Sequence, residues 1–71
     1  MTKLTINKNG FGKCVTKDGT TYSVLRVNGL YNLNVGRKGQ FDFWVKENAK
    51  RLSTIQRFAD NHNYGIQIVE E

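Results

Sequence analysis

A chain of 71 residues makes one small domain, residues 1–71, and at that size only about 60% of the unfolded surface is buried on folding. Its single cysteine, Cys14, excludes an internal disulfide, so homodimerisation is one route to extra burial. The formal net charge of +5 favours an acidic partner, either nucleic acid or an acidic protein surface, without specifying which. No apolar run reaches membrane-spanning length and no charged-then-apolar leader opens the chain, so a soluble, cytoplasmic protein without a membrane partner is expected.

In chain order, Leu4-Thr5-Ile6 alternates as a short strand and is followed by the turn residues Asn7-Lys8-Asn9-Gly10. Phe11 to Thr16 is the next strand. Asp18-Gly19 reads as a two-residue type I′ turn, which sets Val15 opposite Tyr22 and Phe11 opposite Arg26. Phe11 and Val15 then join the core face, and Lys13 lands there too, as an anomaly. Asn28-Gly29 between Val27 and Leu30 is the strongest hairpin signal, since both central positions need positive φ. It pairs Val27 with Leu30, Arg26 with Tyr31, Val24 with Leu33 and Tyr22 with Val35.

Opposed residues share a face. One face therefore carries Tyr22, Val24, Tyr31, Leu33 and Val35, and it is the better core face. The other carries Ser23, Leu25, Val27, Leu30, Asn32 and Asn34. Gln40 to Val45 alternates Phe41, Phe43 and Val45 against Gln40, Asp42 and Trp44. For the phenylalanines to face the core, Val35 must oppose Phe41, and Trp44 then points outward beside Asn32 and Asn34.

The period changes after Val45. Ala49, Leu52, Ile55, Phe58 and Ala59 recur at helical spacing, which predicts a helix over about 46–62 with Lys46, Lys50 and Arg57 on its solvated side. Ser53-Thr54-Ile55-Gln56 also fits a capping box, which would start the helix later. A start as early as Asp42 competes, but the Phe-x-Phe-x-Val alternation favours a strand there. Asn63 or Gly65 can take the left-handed conformation that ends the helix. A final short strand over about 64–69 follows, pairing with Leu4–Ile6 or lying at an edge. The fold class is α+β: an antiparallel meander of about five strands, with barrel closure left open, then one helix and the final strand.

Catalytic constellations are thin. His62 is the only histidine and sits at a helix end, where a cation suits the dipole without any catalytic role. Ser23 and Ser53 lack a nucleophile-elbow setting. Asp60-x-His62 and the lone Cys14 do not make a metal site. The acids Asp18, Asp42, Glu47 and Asp60 are dispersed, without the pairing that acid–base chemistry uses. No enzyme activity, cofactor or metal is expected.

Binding is what remains. Gly36-Arg37-Lys38-Gly39 is a basic loop flanked by glycines. Its cations and amides could hold a phosphate, although it lacks the length and ending of a P-loop, and as a plain hairpin loop with solvated charges it needs no ligand. An outward Trp44 could stack a base, with Lys17, Arg37, Lys38, Lys46, Lys50 and Arg57 meeting phosphates, as in a small nucleic-acid-binding module for single strands or backbone. The alternative is a small modulator or inhibitor of a partner protein, of the kind carried by phages and mobile elements. It would use Leu25, Val27, Leu30 and Trp44 as an interface patch. A third arrangement curls the sheet so that this patch becomes a second core beneath the helix. The register reading is testable in any structure: Val35 opposite Gln40 would overturn it.

Overall fold

The structure, a computed structural model, describes residues 1–71. In chain order it contains β1 (Thr2–Ile6), β2 (Phe11–Val15), β3 (Thr21–Val27), β4 (Leu30–Gly36), β5 (Phe43–Ala49), α1 (Leu52–Asn61) and β6 (Ile66–Glu70). The α+β class is as expected. Strands β2-β3-β4-β5 form an antiparallel meander of four, not five, because β1 pairs in parallel with β6 in a separate two-stranded sheet. No closed barrel forms.

Two layers result. The inner face of the meander contributes Cys14, Tyr22, Val24, Leu33, Val35 and Ala49. The covering layer contributes Leu4 and Ile6 from β1, Ile66 and Ile68 from β6, and Ile55 and Ala59 from α1. The helix therefore lies on the inner side, and the outer face of the meander has no layer over it. Helix and strand are tied by one side chain. Gln56 donates Nε2 to the Ile66 carbonyl (3.0 Å) and accepts at Oε1 from the Ile68 N–H (2.7 Å). Its carboxamide thus acts as a surrogate strand, satisfying backbone groups of β6 that would otherwise be orphaned.

The Asn28-Gly29 hairpin forms as expected, with φ of 52° and 77° and Val27 opposite Leu30, Arg26 opposite Tyr31, Val24 opposite Leu33 and Tyr22 opposite Val35. The β2–β3 register differs from the expectation by one residue. Val15 opposes Thr21 rather than Tyr22, and Phe11 opposes Leu25 rather than Arg26. The cause is the turn. Thr16 pairs with Thr20 (Thr16 N–H to Thr20 carbonyl, 2.9 Å), so three residues, Lys17-Asp18-Gly19, make the connection, with Gly19 left-handed at φ 84°. Such loops are the next most common after two-residue ones. One added residue exchanges the faces of the whole strand. Phe11 and Val15 are exposed, Cys14 and Gly12 are buried, and Lys13 points outward.

Gly12 faces β1 directly. A Cβ built there would lie 2.5 Å from the Thr5 carbonyl oxygen and 2.7 Å from Leu4 Cδ2.

The expected pairing of Val35 with Phe41 is also corrected: Val35 opposes Phe43, and Asn34 opposes Trp44. Phe41 lies in the loop and is 95% exposed. The two-residue offset keeps Trp44 on the outer face, but neither phenylalanine joins the core as expected: Phe43 opposes Val35 and is still 54% exposed. The register shifts twice along the pair, between Tyr31 and Leu33 and again between Leu33 and Asn34. Asn48 sits there at φ 58° and donates its N–H to Asn32 Oδ1 (2.9 Å). This irregular strand continues to Ala49, so the helix spans 52–61 and not 46–62, and a helical start at Asp42 is excluded as well. The capping box does not form: Arg51 is the N-cap without a side-chain bond, and Gln56 is engaged by β6. Asn63 and Gly65 are both left-handed, at φ 56° and 69°. The last strand begins at Ile66, after the expected 64.

Gly12→Ala should destabilise the fold by about 1–3 kcal/mol through overpacking against β1. Lys13→Ala, one residue on and outward, should stay within about 0.5 kcal/mol of the parent. Urea unfolding of the two variants side by side checks the β1–β2 contact; equal stabilities would contradict it.

Candidate functional site

The uncovered face of the meander is ordered by register into rows. Val15, Thr21 and Gly36 form the row nearest the β2–β3 turn. Lys13, Ser23, Asn34 and Trp44 form the next, straight across all four strands. Phe11, Leu25 and Asn32 form the third, and Val27 and Leu30 close the far end. With strands about 4.8 Å apart, Lys13 and Trp44 bracket a row of about 14 Å.

Trp44 is 45% exposed, so the arrangement with a second core beneath the helix is ruled out. The helix packs on the opposite face. Strand pairing, not helix packing, therefore positions the indole.

The expected cations divide into two groups. Lys17, Arg37 and Lys38 are exposed in the two loops at one end of the sheet, and the row through Val15, Thr21 and Gly36 brings those loops side by side. Trp44 is one row inward from them. Lys46 belongs to β5, opposite Leu33, and not to a helix. Lys50 follows Ala49, whose partner Tyr31 is at the other end of the sheet, and Arg57 lies on the exposed side of α1. Those three do not converge with the loop group. Lys13 is on the outer face and exposed, not inward as the two-residue turn predicts. The sequence signal for this is the Thr16/Thr20 pair flanking Lys17-Asp18-Gly19, which makes a three-residue turn and directs Lys13 outward.

The loop end also carries acids. Asp18 is spent on its own turn: its Oδ1 accepts from Thr16 Oγ1 (2.5 Å) and from the Thr20 N–H (3.0 Å). These bonds, with Arg37 nearby, hold its carboxyl below the usual value of 3.8. Asp42 folds back over Gly36 on the outer face, in the space that a Cβ would occupy. Burial, and to a lesser degree the Asp18 charge, pushes the Tyr22 phenol up, while Arg37 opposes the shift.

The patch Leu25, Val27, Leu30 and Trp44 is not contiguous as expected. Asn32 and Asn34 separate Trp44 from the rest, and Phe11, 44% exposed opposite Leu25, takes its place. Asn32 has both of its N–H donors engaged: Nδ2 donates to the Leu25 and Leu30 carbonyls (3.1 and 3.3 Å), and Oδ1 accepts from Asn48 (2.9 Å).

On the inner layer, Arg26 and Glu70 form an ion pair, and Tyr31 donates its hydroxyl to the other Glu70 oxygen (2.7 Å), linking β3 and β4 to β6. His62 Nδ1 meets the Phe58 carbonyl (2.9 Å) and the ring stacks on Phe58 at 4.1 Å. Burial raises the Cys14 pKa, which disfavours its thiolate. No cavity indents the surface, and no three His, Cys, Asp or Glu side chains converge. No helix is long and apolar enough to cross a membrane.

The fold and face define a small α+β domain with one uncovered antiparallel sheet surface. Comparisons with protein-family models, curated proteins and solved structures find no match to this chain.

The Asp18 turn makes a prediction about pH. Its folded pKa lies below the ordinary value, so the ionised carboxylate's contribution to stability is full above that value and is lost as pH falls through the folded one. A carbon-detected NMR titration should give a midpoint for Asp18 below 3.8. Asp18→Asn should flatten the acid-side loss of stability contributed by this turn.

Proposed function

We propose that the chain is a non-enzymatic nucleic-acid-binding module that uses the uncovered sheet face and the loops at its basic end. The observation that carries this reading is the position of Trp44: a half-exposed indole on a sheet face, one row from a loop pair that carries Lys17, Arg37 and Lys38. An aromatic platform beside a cationic track is the arrangement that sequence-tolerant nucleic-acid binders use, since every base offers a π-face and every nucleotide a phosphate. The net charge of +5 acts in the same direction by steering association with a polyanion.

The second reading is a protein-binding modulator. Exposed Phe11 and Val27 beside Leu25 and Leu30 favour it, because grouped apolar side chains on a surface suit a buried contact. Trp44 does not lie in that group.

Titration of Trp44 fluorescence with a single-stranded oligonucleotide at two salt concentrations tests the first reading. Quenching that weakens with salt is expected. Arg37→Ala combined with Lys38→Ala should reduce the slope of log K against log salt by about 1.4, at about 0.7 per phosphate contact on a single strand. Unchanged emission with no shift in a low-salt gel would exclude nucleic acid and favour the apolar group as the working surface.

A further inference from the structure

We infer that the row Lys13–Ser23–Asn34–Trp44 is a reader of one unpaired base, in which Trp44 stacks the base and the Asn34 carboxamide pairs with its edge. This inference rests on the nucleic-acid reading above and specifies its ligand as a single strand.

The argument begins with two asparagines on the same strand and face. Asn32 and Asn34 are both half-buried, yet they differ in what they have to offer. Asn32 is consumed within the fold, holding the Leu25 and Leu30 carbonyls and the Asn48 N–H. Asn34 makes no such bond, so its donor pair and its acceptor are free. It is also the residue directly opposite Trp44, and opposed Cβ atoms lie about 5 Å apart. A base resting on the indole therefore presents its edge to a side chain carrying one donor and one acceptor. That combination suits a base edge with the complementary pair, as adenine N6/N7 is for asparagine in duplex recognition.

Charge sets the direction of the strand across the row. Lys13 is exposed at one end of the row and Trp44 stands at the other. The Asp42 carboxylate lies over Gly36 on the Trp44 side and repels phosphate there. The backbone accordingly follows the cations of the loop pair, Arg37, Lys38 and Lys17, and turns toward Lys13, while the base lies on Trp44. Ser23, between them and half-buried, offers a hydroxyl to the sugar or phosphate. A duplex does not fit this arrangement, because its bases are already stacked and paired and their π-faces cannot reach an indole on a sheet without being unstacked.

Fluorescence anisotropy of labelled 12-nucleotide probes with the full chain tests this. The probes are a single strand, its duplex, the same strand with an abasic site in place of each base in turn, and homopolymers of dA, dC and dT. The single strand should bind at least about 10-fold tighter than the duplex. Trp44→Leu should weaken single-strand binding by about 5- to 150-fold, the range for losing one stacked base. Asn34→Ala should narrow the spread among the homopolymers while leaving the salt slope unchanged. Lys13→Ala should do the reverse, lowering the slope by about 0.7 and leaving the spread. All three positions are surface-facing, and matched thermal melts guard against a folding artefact. Equal binding of single strand and duplex, with Asn34→Ala and Trp44→Leu behaving as the parent, overturns the base-reading inference while leaving a backbone-binding module. No binding of any probe at low salt overturns both and turns the face over to a protein partner.

Discussion

A strand has two faces and no intermediate position, so the number of residues in each turn of the meander decides which side chains are inside. Three turns carry this constraint. Asn28-Gly29 closes β3 onto β4 with two residues, Lys17-Asp18-Gly19 closes β2 onto β3 with three, and the stretch from Arg37 to Asp42 closes β4 onto β5. From them follow the inner set of Cys14, Tyr22, Val24, Leu33 and Val35 and the outer set that includes Lys13, Asn34 and Trp44. The covering layer depends on the same parity. β1 can approach β2 closely because the inward residue there is Gly12, which has no side chain to hold the strands apart.

The covering layer solves a problem common to small domains. Two short strands and a ten-residue helix must bury one sheet face without leaving backbone groups unpaired. β1 and β6 pair with each other in parallel, and Gln56 from the helix supplies both a donor and an acceptor to β6. The Arg26–Glu70–Tyr31 cluster then joins β6 to the end of the meander. The polar contacts in this layer align elements whose burial energy comes from Leu4, Ile6, Ile55 and Ile66, all fully buried. With that face closed, the opposite face stays uncovered, and its polarity is graded from cationic loops at one end to Phe11, Leu25, Val27 and Leu30 at the other.

The asparagines show how one residue type divides between bonded and unbonded positions in one sheet. Asn28 and Asn48 supply left-handed backbone, Asn32 stabilises the irregular part of the β4–β5 pair, and Asn34 alone on the outer face keeps its amide free beside Trp44. Composition could not separate these roles, since all four lie in turn or strand contexts of similar polarity. Only the register and the hydrogen bonds do so.

Local chemistry in the sequence determined the α+β class, the Asn28-Gly29 hairpin with its register, the inner face of β3 and β4, and the outward direction of Trp44. Each follows from alternation or from a dihedral requirement within a few residues. The tertiary structure decided the rest. The face of β2 depended on Thr16 pairing with Thr20, a choice between two- and three-residue turns that the local sequence permits either way, and with it went the positions of Phe11, Val15 and Lys13. The extent of β5 depended on Asn32 and Asn48, sixteen positions apart, which held Lys46–Ala49 in a strand despite its helical spacing. The partner of the last strand depended on long-range burial, because an alternating Ile-Gln-Ile segment fits any open edge until β1 and Gln56 occupy both sides of it.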